Sequence, residues 1–186
     1  MSTRSLIMSV IILTVAAAVP VSAEPAPQSV IDYANASLTS LGTDKTIVDA
    51  VKAENAKGKS LDQIKAADAV WIEASGVTGD MRKLIDSDCG KRLISFRDEH
   101  EFITEVFVMD NQGANVAMSE KTSDYWQGDE DKFIKCFNAG NGTVFVSDVN
   151  FDENTQVYQV QVSVPVTDGS ATIGAICIGI DLDLFE

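Results

Sequence analysis

The stretch that most constrains the fold of this chain lies near its C-terminal end, where apolar and polar residues alternate strictly. Val160, Val162, Val164 and Val166 alternate with Gln159, Gln161 and Ser163. A period of two predicts a β-strand with one apolar face, and that face has to be covered by another layer of the protein. Asp168 and Gly169 then form a turn signal before a second apolar stretch, residues 172–182. The pattern therefore predicts a long antiparallel hairpin.

Three further strands are predicted upstream of this hairpin. Residues 102–109 are apolar on both faces, which is typical of a central strand, and residues 110–113 form a turn before a short strand at 115–119. A helix ending near Asn138 connects this strand to the next, which is predicted over residues 143–149. The complete prediction is a five-stranded antiparallel sheet.

The first half of the chain has helical periodicity. Its apolar residues recur at spacings of three and four and fall into four segments, marked by Ile31, Ala34, Leu38 and Leu41, by Ile47, Val48 and Val51, by Leu61, Ile64, Ala67 and Trp71, and by Met81, Leu84, Ile85 and Cys89. Ser60 and Gln63 form a capping-box pattern before the third segment, and the fourth is predicted to run past Gly90 to Phe96. Helices followed by strands indicate an α+β fold, in which the helical segment 24–100 covers one face of a sheet formed by residues 101–186.

The N-terminal residues predict export. Arg4 precedes an apolar run from Leu6 to Val19, and small residues follow up to Ala23. This pattern is typical of a secretory signal peptide over residues 1–23, cleaved after Ala23, and it predicts a periplasmic protein. The alternative is a retained membrane anchor, but the run is shorter than the roughly 18 to 20 residues that a spanning helix needs. No later stretch reaches that length, so no membrane span is expected after cleavage.

The charge of the chain argues against nucleic acid as a partner. Its 14 basic and 28 acidic residues give a formal net charge of −14. Such a surface repels nucleic acid and anionic lipid and favours solubility, but it does not identify a binding partner.

The three cysteines are Cys89, Cys136 and Cys177. In an exported protein an odd number allows at most one bridge and leaves a free thiol. Cys177 lies in an apolar run and is expected in the core. Cys89 and Cys136 both fall on helical segments, so a disulfide between them is left open, and chain-entropy reasoning gives it a value of about 4 kcal/mol.

Catalytic and cofactor signatures do not occur in the sequence. His100 is the single histidine and is interpreted as a surface residue, and there is no nucleophile elbow, phosphate-binding loop, dinucleotide-binding pattern or zinc signature. We therefore expect a protein that is not an enzyme and uses no cofactor or metal.

Two polar patterns have competing interpretations. Asp148, Asn150, Asp152 and Asn154 alternate as the ligands of a calcium loop would, but Glu153 and Gln159 stand where such a loop needs Gly and Glu. The interpretation is a polar hairpin edge. Asp68 is either a buried partner of a backbone group or the polar border of the third helix, and the border is favoured.

The candidate binding site lies around the loop after the second strand. Five of its residues belong to that loop and the following helix start, and one belongs to the polar face of the fourth strand: Ser119, Thr122, Tyr125, Trp126 and Asp129, with Gln161. If the loop folds over that face, aromatic walls, neutral hydrogen-bonding groups and a carboxylate would enclose a small polar or amine-bearing ligand. The alternative is a solvated sheet face with Trp126 packed into the core.

Four motifs in order make the chain similar to a known family. FVMDNQG at 107–113, SDYWQGDE at 123–130, VSVPVTD at 162–168 and IGAI at 173–176 together resemble the single Cache (PDC-type, PAS-like) sensor domain of bacteria. The resemblance implies extracytoplasmic sensing by a five-stranded antiparallel sheet, with a pocket on one face closed by the segment after the second strand. Family members bind carboxylates, amino acids or amines. On this basis Tyr125 and Trp126 would enclose the ligand, Asp129 would orient a donor group, and Ser119, Thr122 and Gln161 would supply neutral hydrogen bonds.

The sequence departs from the family in one respect. Members usually lie between two membrane-spanning helices of a chemoreceptor or kinase, whereas this sequence stops at Glu186, just after its last predicted strand. The expectation is a free-standing secreted member that passes ligand occupancy to a membrane receptor or histidine kinase partner. Two alternatives stay open: a carrier of a metabolite, and a structural or interaction protein with a vestigial pocket.

Overall fold

The computed structural model describes residues 24–152 and 156–185. The predicted signal peptide, residues 1–23, lies outside the described residues. The helices are α1 (Gln28–Ala36), α2 (Lys45–Asn55), α3 (Leu61–Glu73), α4 (Gly79–Ile85), α5 (Asp88–Asp98) and α6 (Asp131–Phe137), with short 3₁₀ segments at Leu38–Thr43 and Asn138–Gly140. The strands are β1 (Ile103–Met109), β2 (Asn115–Met118), β3 (Phe145–Val146), β4 (Asn150–Asp152), β5 (Val157–Asp168) and β6 (Ala171–Asp181).

The strands form one antiparallel sheet in the order β2-β1-β6-β5-β3, with β4 also paired to β5. The α+β class is confirmed. The count of five strands is wrong by one, because the strand predicted over residues 143–149 forms only at Phe145–Val146 and a further strand, β4, follows it. Between them the Ser147 hydroxyl accepts a hydrogen bond from the Gln161 backbone N–H at 2.9 Å, and Val149 turns to donate to the Glu24 carbonyl. A side chain thus interrupts the backbone ladder there.

The sheet is covered on both faces. On the first face the valines of β5 and the isoleucines of β6 pack with α1, α2 and α5 in one buried cluster that includes Ile47, Val51 and Leu93. On the second face Phe107, Met109 and the β6 residues Ala175 and Cys177 pack with Phe133 and Cys136 of α6. The alternation noted in β5 therefore separates an apolar face towards α1, α2 and α5 from a polar face towards α6.

Side-chain caps set the helix boundaries. The predicted capping box of α3 is present, with the Gln63 backbone N–H donating to Ser60 Oγ and the Ser60 backbone N–H donating to Gln63 Oε1. The fourth predicted helix is in fact two helices, because Ser87 ends one and begins the next. Its hydroxyl donates to the Leu84 carbonyl at 2.8 Å and accepts from the Gly90 backbone N–H at 2.9 Å.

The disulfide considered between Cys89 and Cys136 does not form. All three cysteines are free and buried. Cys89 belongs to the cluster on the helix-covered face of the sheet, and Cys136 belongs to the cluster on the α6 face. The sheet lies between these clusters, and a disulfide needs Cα atoms within about 7 Å of each other.

Several smaller predictions can be compared with the described residues. His100 is half-buried and thus only partly at the surface, with Nδ1 2.8 Å from the Phe96 carbonyl oxygen. The polar edge interpretation holds for Asn150 and Asp152, which lie in β4 against β5, whereas Asn154 lies outside the described residues. Within the described residues no helix is long and apolar enough to cross a membrane, and no cluster of acidic, His and Cys side chains could hold a metal.

Candidate functional site

The six predicted site residues do not meet in one pocket. The structure places them in four environments, two of which are openings: a cleft beside β2 and a smaller groove lined in part by α3. Tyr125 lines the cleft, Trp126 and Asp129 line the groove, Gln161 lies on the sheet face towards α6, and Ser119 and Thr122 are buried.

Ser119 and Thr122 have their hydroxyls engaged within the protein. Ser119 Oγ accepts from the Val106 backbone N–H at 2.9 Å. Thr122 Oγ1 donates to the Asp124 carbonyl at 2.7 Å and accepts from Asn115 Nδ2 at 2.8 Å. Both side chains therefore hold the segment after β2 against the sheet.

Gln161 lies on the polar sheet face, where it contacts a half-buried carboxylate. Its Nε2 donates to Glu105 Oε1 at 3.2 Å. Burial raises the pKa of Glu105 despite the nearby Lys132. Lys132 of α6 lies over the Phe107 ring, 5.5 Å from its centroid, and pairs with Glu130 at 3.0 Å. The α6 side chains thus close over the face where a ligand was expected.

Trp126 and Asp129 belong to the groove, which has a volume of about 510 Å³. The Trp126 indole N–H donates to the Gln112 carbonyl at 2.8 Å, and Lys65 Nζ lies 4.4 Å from the ring centroid. Asp68 also lies here, and its Oδ1 accepts from the backbone N–H groups of Tyr125 and Trp126 at 2.8 and 3.0 Å. Asp68 is therefore more than the polar border of the helix: as the alternative predicted, it is a partner of backbone groups, but its side chain is half-buried and not buried.

The cleft is the larger opening, with a volume of about 1070 Å³. It lies between α2, α3, α4, the start of α5 and the strand β2. Its apolar lining comes from each of these elements and comprises Ala50, Ala53, Ala67, Val70, Trp71, Leu84, Cys89 and Val116. Cavities of roughly 300 to 1000 Å³ with mostly apolar walls and a few polar groups are typical of small-molecule sites.

Two aromatic side chains form a fixed wall of the cleft. The rings of Trp71 and Tyr125 lie 5.5 Å apart at an angle of 38°. The Trp71 indole N–H donates to the Thr122 carbonyl at 2.9 Å, and the Tyr125 hydroxyl accepts from Lys59 Nζ at 3.1 Å. Because each ring is held at its polar end, the wall is preformed.

A charge network closes the end of the cleft near Tyr125. Lys59 pairs with Glu54 at 2.7 Å, and Lys57 binds the other oxygen of the same carboxylate. Burial by itself raises the pKa of Glu54, but the two lysines hold it below its usual range. Burial likewise lowers the pKa of Lys59, and its contacts with Glu54 and Tyr125 outweigh that effect and raise it. The network therefore stays charged at neutral pH.

Asn115 is the polar residue of β2 that lines the cleft. It is 1% exposed, and its Nδ2 donates to Thr122 Oγ1 at 2.8 Å and to the Asp124 carbonyl at 3.0 Å. Its Oδ1 is buried with no hydrogen-bond partner among the described residues. Buried polar atoms are nearly always paired, so this unpaired acceptor, on a residue that lines the cleft, indicates a ligand or water as its partner.

Sequence reasoning identified Tyr125 but not the other groups around it. The helical spacing places Trp71 on an apolar stripe and predicts core packing for it, and Glu54 and Lys59 give no signal in so charged a chain. Asn115 could have been noticed as a polar residue at the start of a short apolar strand. Its significance depends on partners outside β2, which periodicity does not reveal.

Comparison with known proteins finds similar structures but no similar sequence family. No protein-family model matches the chain, and no curated protein sequence does. The sensor domain of the V. cholerae histidine kinase DctB is 14% identical over 85% of this chain and 51% of its own, with a TM-score of 0.46. The sensory domain of the Campylobacter jejuni chemoreceptor Tlp3 is 17% identical over 76% of this chain and 61% of its own, with a TM-score of 0.46.

A further structure of the Tlp3 ligand-binding domain, in complex with L-valine, is 17% identical over 76% of this chain and 60% of its own, with a TM-score of 0.42. The chain thus spans between 51% and 61% of the length of these three structures. The three structures are a sensor domain of a histidine kinase and sensory or ligand-binding domains of a chemoreceptor.

Proposed function

We propose that this protein is a non-catalytic sensor module that binds a small polar ligand outside the cytoplasm, in the cleft beside β2. The ligand is a carboxylate, an amino acid or an amine, and the bound state is relayed to a membrane receptor or histidine kinase partner. The export and relay parts of the proposal are supported by the signal-peptide pattern and by the resemblance of the four motifs to Cache sensor domains.

One observation carries the binding part of the proposal. The cleft combines a preformed Trp71–Tyr125 wall with a buried acceptor, Asn115 Oδ1, that has no partner among the described residues. A folded protein that only served as a scaffold would gain stability by filling such a space, because empty volume forfeits packing contacts. An open, polar-tipped cleft is instead what a binding site requires.

The test is a thermal-shift screen of the purified protein against amino acids, small carboxylates and amines, followed by calorimetric titration of each hit. A ligand at a hundredfold excess over its dissociation constant adds about 2.7 kcal/mol of stability. For a domain of this size we expect a rise in melting temperature of roughly 5 to 10 °C.

A pair of matched variants locates the site. Ala53 is an exposed alanine of α2 that lines the cleft, and Ala66 is an exposed alanine of α3 that does not. We expect Ala53→Trp to obstruct the cleft and weaken binding of the hit at least tenfold, while Ala66→Trp leaves binding unchanged. A flat screen would favour the structural or interaction role, and a hit that Ala53→Trp leaves intact would remove the cleft as the site.

A further inference from the structure

We infer that the ligand of the cleft is a primary amine with an apolar body, whose ammonium group donates a hydrogen bond to Asn115 Oδ1. This inference rests on the proposed function and narrows its ligand class, because it selects the amine and rejects the simple carboxylate. Asn115 then acts as the residue that determines ligand specificity.

The orientation of the Asn115 amide is fixed by its neighbours. Nδ2 donates to the Asp124 carbonyl, which can only accept, and to Thr122 Oγ1, whose own hydrogen is directed to the same carbonyl. A flipped amide would place Oδ1 against these acceptors and lose both bonds. The atom left unpaired is therefore an acceptor, and its complement has to be an N–H or O–H donor.

The charges around the cleft favour a cation over an anion. Each of the three lysines that line it is already paired, Lys57 and Lys59 with Glu54 and Lys83 with Asp80. An ionised carboxylate has no donor to offer Asn115 and would have to displace one of these pairs. Four carboxylates line the cleft, and Asp49, Glu54 and Asp80 are paired with lysines, whereas Asp88 forms no ion pair among the described residues. An ammonium group can therefore approach the Asp88 carboxylate without displacing an existing pair.

The remaining surface of the cleft determines the body of the ligand. Trp71, Leu84 and Val116 present apolar atoms, and the alanines of α2 leave room between the helix and the sheet. Burying an apolar body against these side chains contributes about 25 cal/mol per Å² of surface removed from water. The ligand class is thus an alkyl or aryl amine with one polar end.

The first experiment measures how tightly the unaltered protein binds ligands that share the same apolar part and differ only in their polar group. Phenethylamine and isoamylamine are titrated against their carboxylate counterparts, hydrocinnamate and isocaproate, against phenethyl alcohol, and against phenethyltrimethylammonium. The last keeps the positive charge but has no N–H donor. We expect at least one primary amine to bind at least tenfold more tightly than its carboxylate, its alcohol and its trimethylated form.

The outcomes separate this inference from the proposed function. A carboxylate, the alcohol or the trimethylated amine that binds as tightly as the primary amine would overturn the donor assignment while a ligand-binding cleft remained. Binding by none of the amines, with a hit elsewhere in the screen that carries no ammonium group, would overturn it as well. No hit in any class would contradict the proposed function itself.

A second experiment uses Gln127 as a matched control for Asn115. Gln127 is also 1% exposed, donates from Nε2 to the same Asp124 carbonyl at 2.8 Å, and has an Oε1 without a partner among the described residues. It does not line the cleft. We expect Asn115→Ala to weaken amine binding at least tenfold and Gln127→Ala to change it less than twofold, with similar losses of stability.

Equal effects of the two substitutions on the dissociation constant would show that Asn115 acts through the fold of the segment after β2, and would overturn the inference. If Asn115→Ala does not fold, the comparison of ligands on the unaltered protein decides the question, because it requires no variant.

Discussion

Glu54 is a buried residue whose ion pairs also hold a side chain of the cleft wall in position. Its carboxylate is 8% exposed and pairs with Lys57 and Lys59, and Lys59 in turn contacts the Tyr125 hydroxyl. The position of the Tyr125 ring in the cleft wall thus depends on a carboxylate on another element. Such an arrangement keeps the wall in place before a ligand arrives, which lowers the entropic cost of binding.

Replacing Glu54 by Gln should destabilise the protein at pH 7 by about 1 to 3 kcal/mol, as loss of hydrogen bonds to charged groups does. The pKa of Glu54 in the folded protein lies below its ordinary value of 4.5, so its stabilisation is present above that pH. It is lost as the pH falls through the folded value. The difference in unfolding free energy between the two proteins, from urea titrations at several pH values, should therefore vanish in acid.

Two other carboxylates act in the opposite direction. Burial raises the pKa of Glu105 and of Asp110, so the folded state binds their protons more tightly and their contribution to stability falls as the pH rises. Subtracting the unfolding free energy of Glu54→Gln from that of the unaltered protein at each pH cancels the contributions of Glu105 and Asp110. A difference that stays constant down to strongly acidic pH would mean that Glu54 does not depend on its charge.

The limit of sequence reasoning is clearest at this scale. Tyr125 could be singled out because an aromatic beside polar residues in a loop is unusual. Asn115, Glu54 and Lys59 acquire their roles from partners that are distant in sequence, and no local pattern encodes such pairs. The same holds for Trp126, whose position outside the cleft follows from its bond to the Gln112 carbonyl.

At the scale of elements, local sequence signals predict that a helix or strand exists better than they predict the residues at which it begins and ends. The α3 capping box and the alternation of β5 are short-range patterns, and both are confirmed. The predicted fourth helix is broken by Ser87, a residue that both ends one helix and caps the next. The strand predicted over 143–149 is interrupted because the Ser147 hydroxyl accepts a bond from β5, which depends on the pairing of the strands.

Two hairpin glycines allow a test of how tightly the segment after β2 packs. Gly113, in the β1–β2 turn, has φ +86°, and a Cβ there would lie 2.4 Å from the Gly128 Cα atom. Gly169, in the β5–β6 turn, has φ +61° and no neighbour within 4 Å of that position. Both substitutions to Ala impose an unfavourable left-handed conformation, which costs about 1 to 2 kcal/mol.

Gly113→Ala should cost a further 1 to 3 kcal/mol, roughly, because the methyl group also collides with the segment that follows β2. Urea denaturation of both variants measures the difference directly. Equal losses for Gly113→Ala and Gly169→Ala would mean that Gly128 can move away, and that the packing of this segment is looser than the structure shows.

At the scale of the whole molecule, the sheet separates two cores that the sequence could not distinguish. The α+β class and the antiparallel sheet follow from the order of helical and alternating patterns. Which face a helix covers is decided by how the chain crosses the sheet, and periodicity carries no information on that. The disulfide between Cys89 and Cys136 was for this reason left open from the sequence, and the two clusters exclude it.

The reactivity of the cysteines tests whether Cys89 and Cys136 lie unbridged in two separate buried clusters. Burial raises the pKa of Cys89 and of Cys177 to about 12, and it raises that of Cys136 as well, so none forms a thiolate at neutral pH. Because the thiolate is the reactive species, iodoacetamide should modify no cysteine of the native protein. In denaturant without reductant, mass spectrometry should find three adducts, one for each free cysteine.

Fewer than three adducts in unreduced, unfolded protein would reveal a bridge that the structure lacks. As a control, added reductant should leave the melting temperature unchanged. A lower melting temperature in reductant would show that a covalent link contributes to stability.

The edges of the sheet affect how the protein behaves at high concentration. An unpaired strand edge offers free N–H and C=O groups to other molecules, and such edges seed aggregation. Here the segment after β2 folds back along β2, with the Asn115 backbone N–H donating to the Tyr125 carbonyl and the Gln127 backbone N–H donating to the Gly113 carbonyl. On the other side of the sheet β3 and β4, which are two and three residues long, pair with residues 157–163 of β5. Because the edge at β2 is covered, this side of the sheet resists the edge-to-edge association that leads to fibrils.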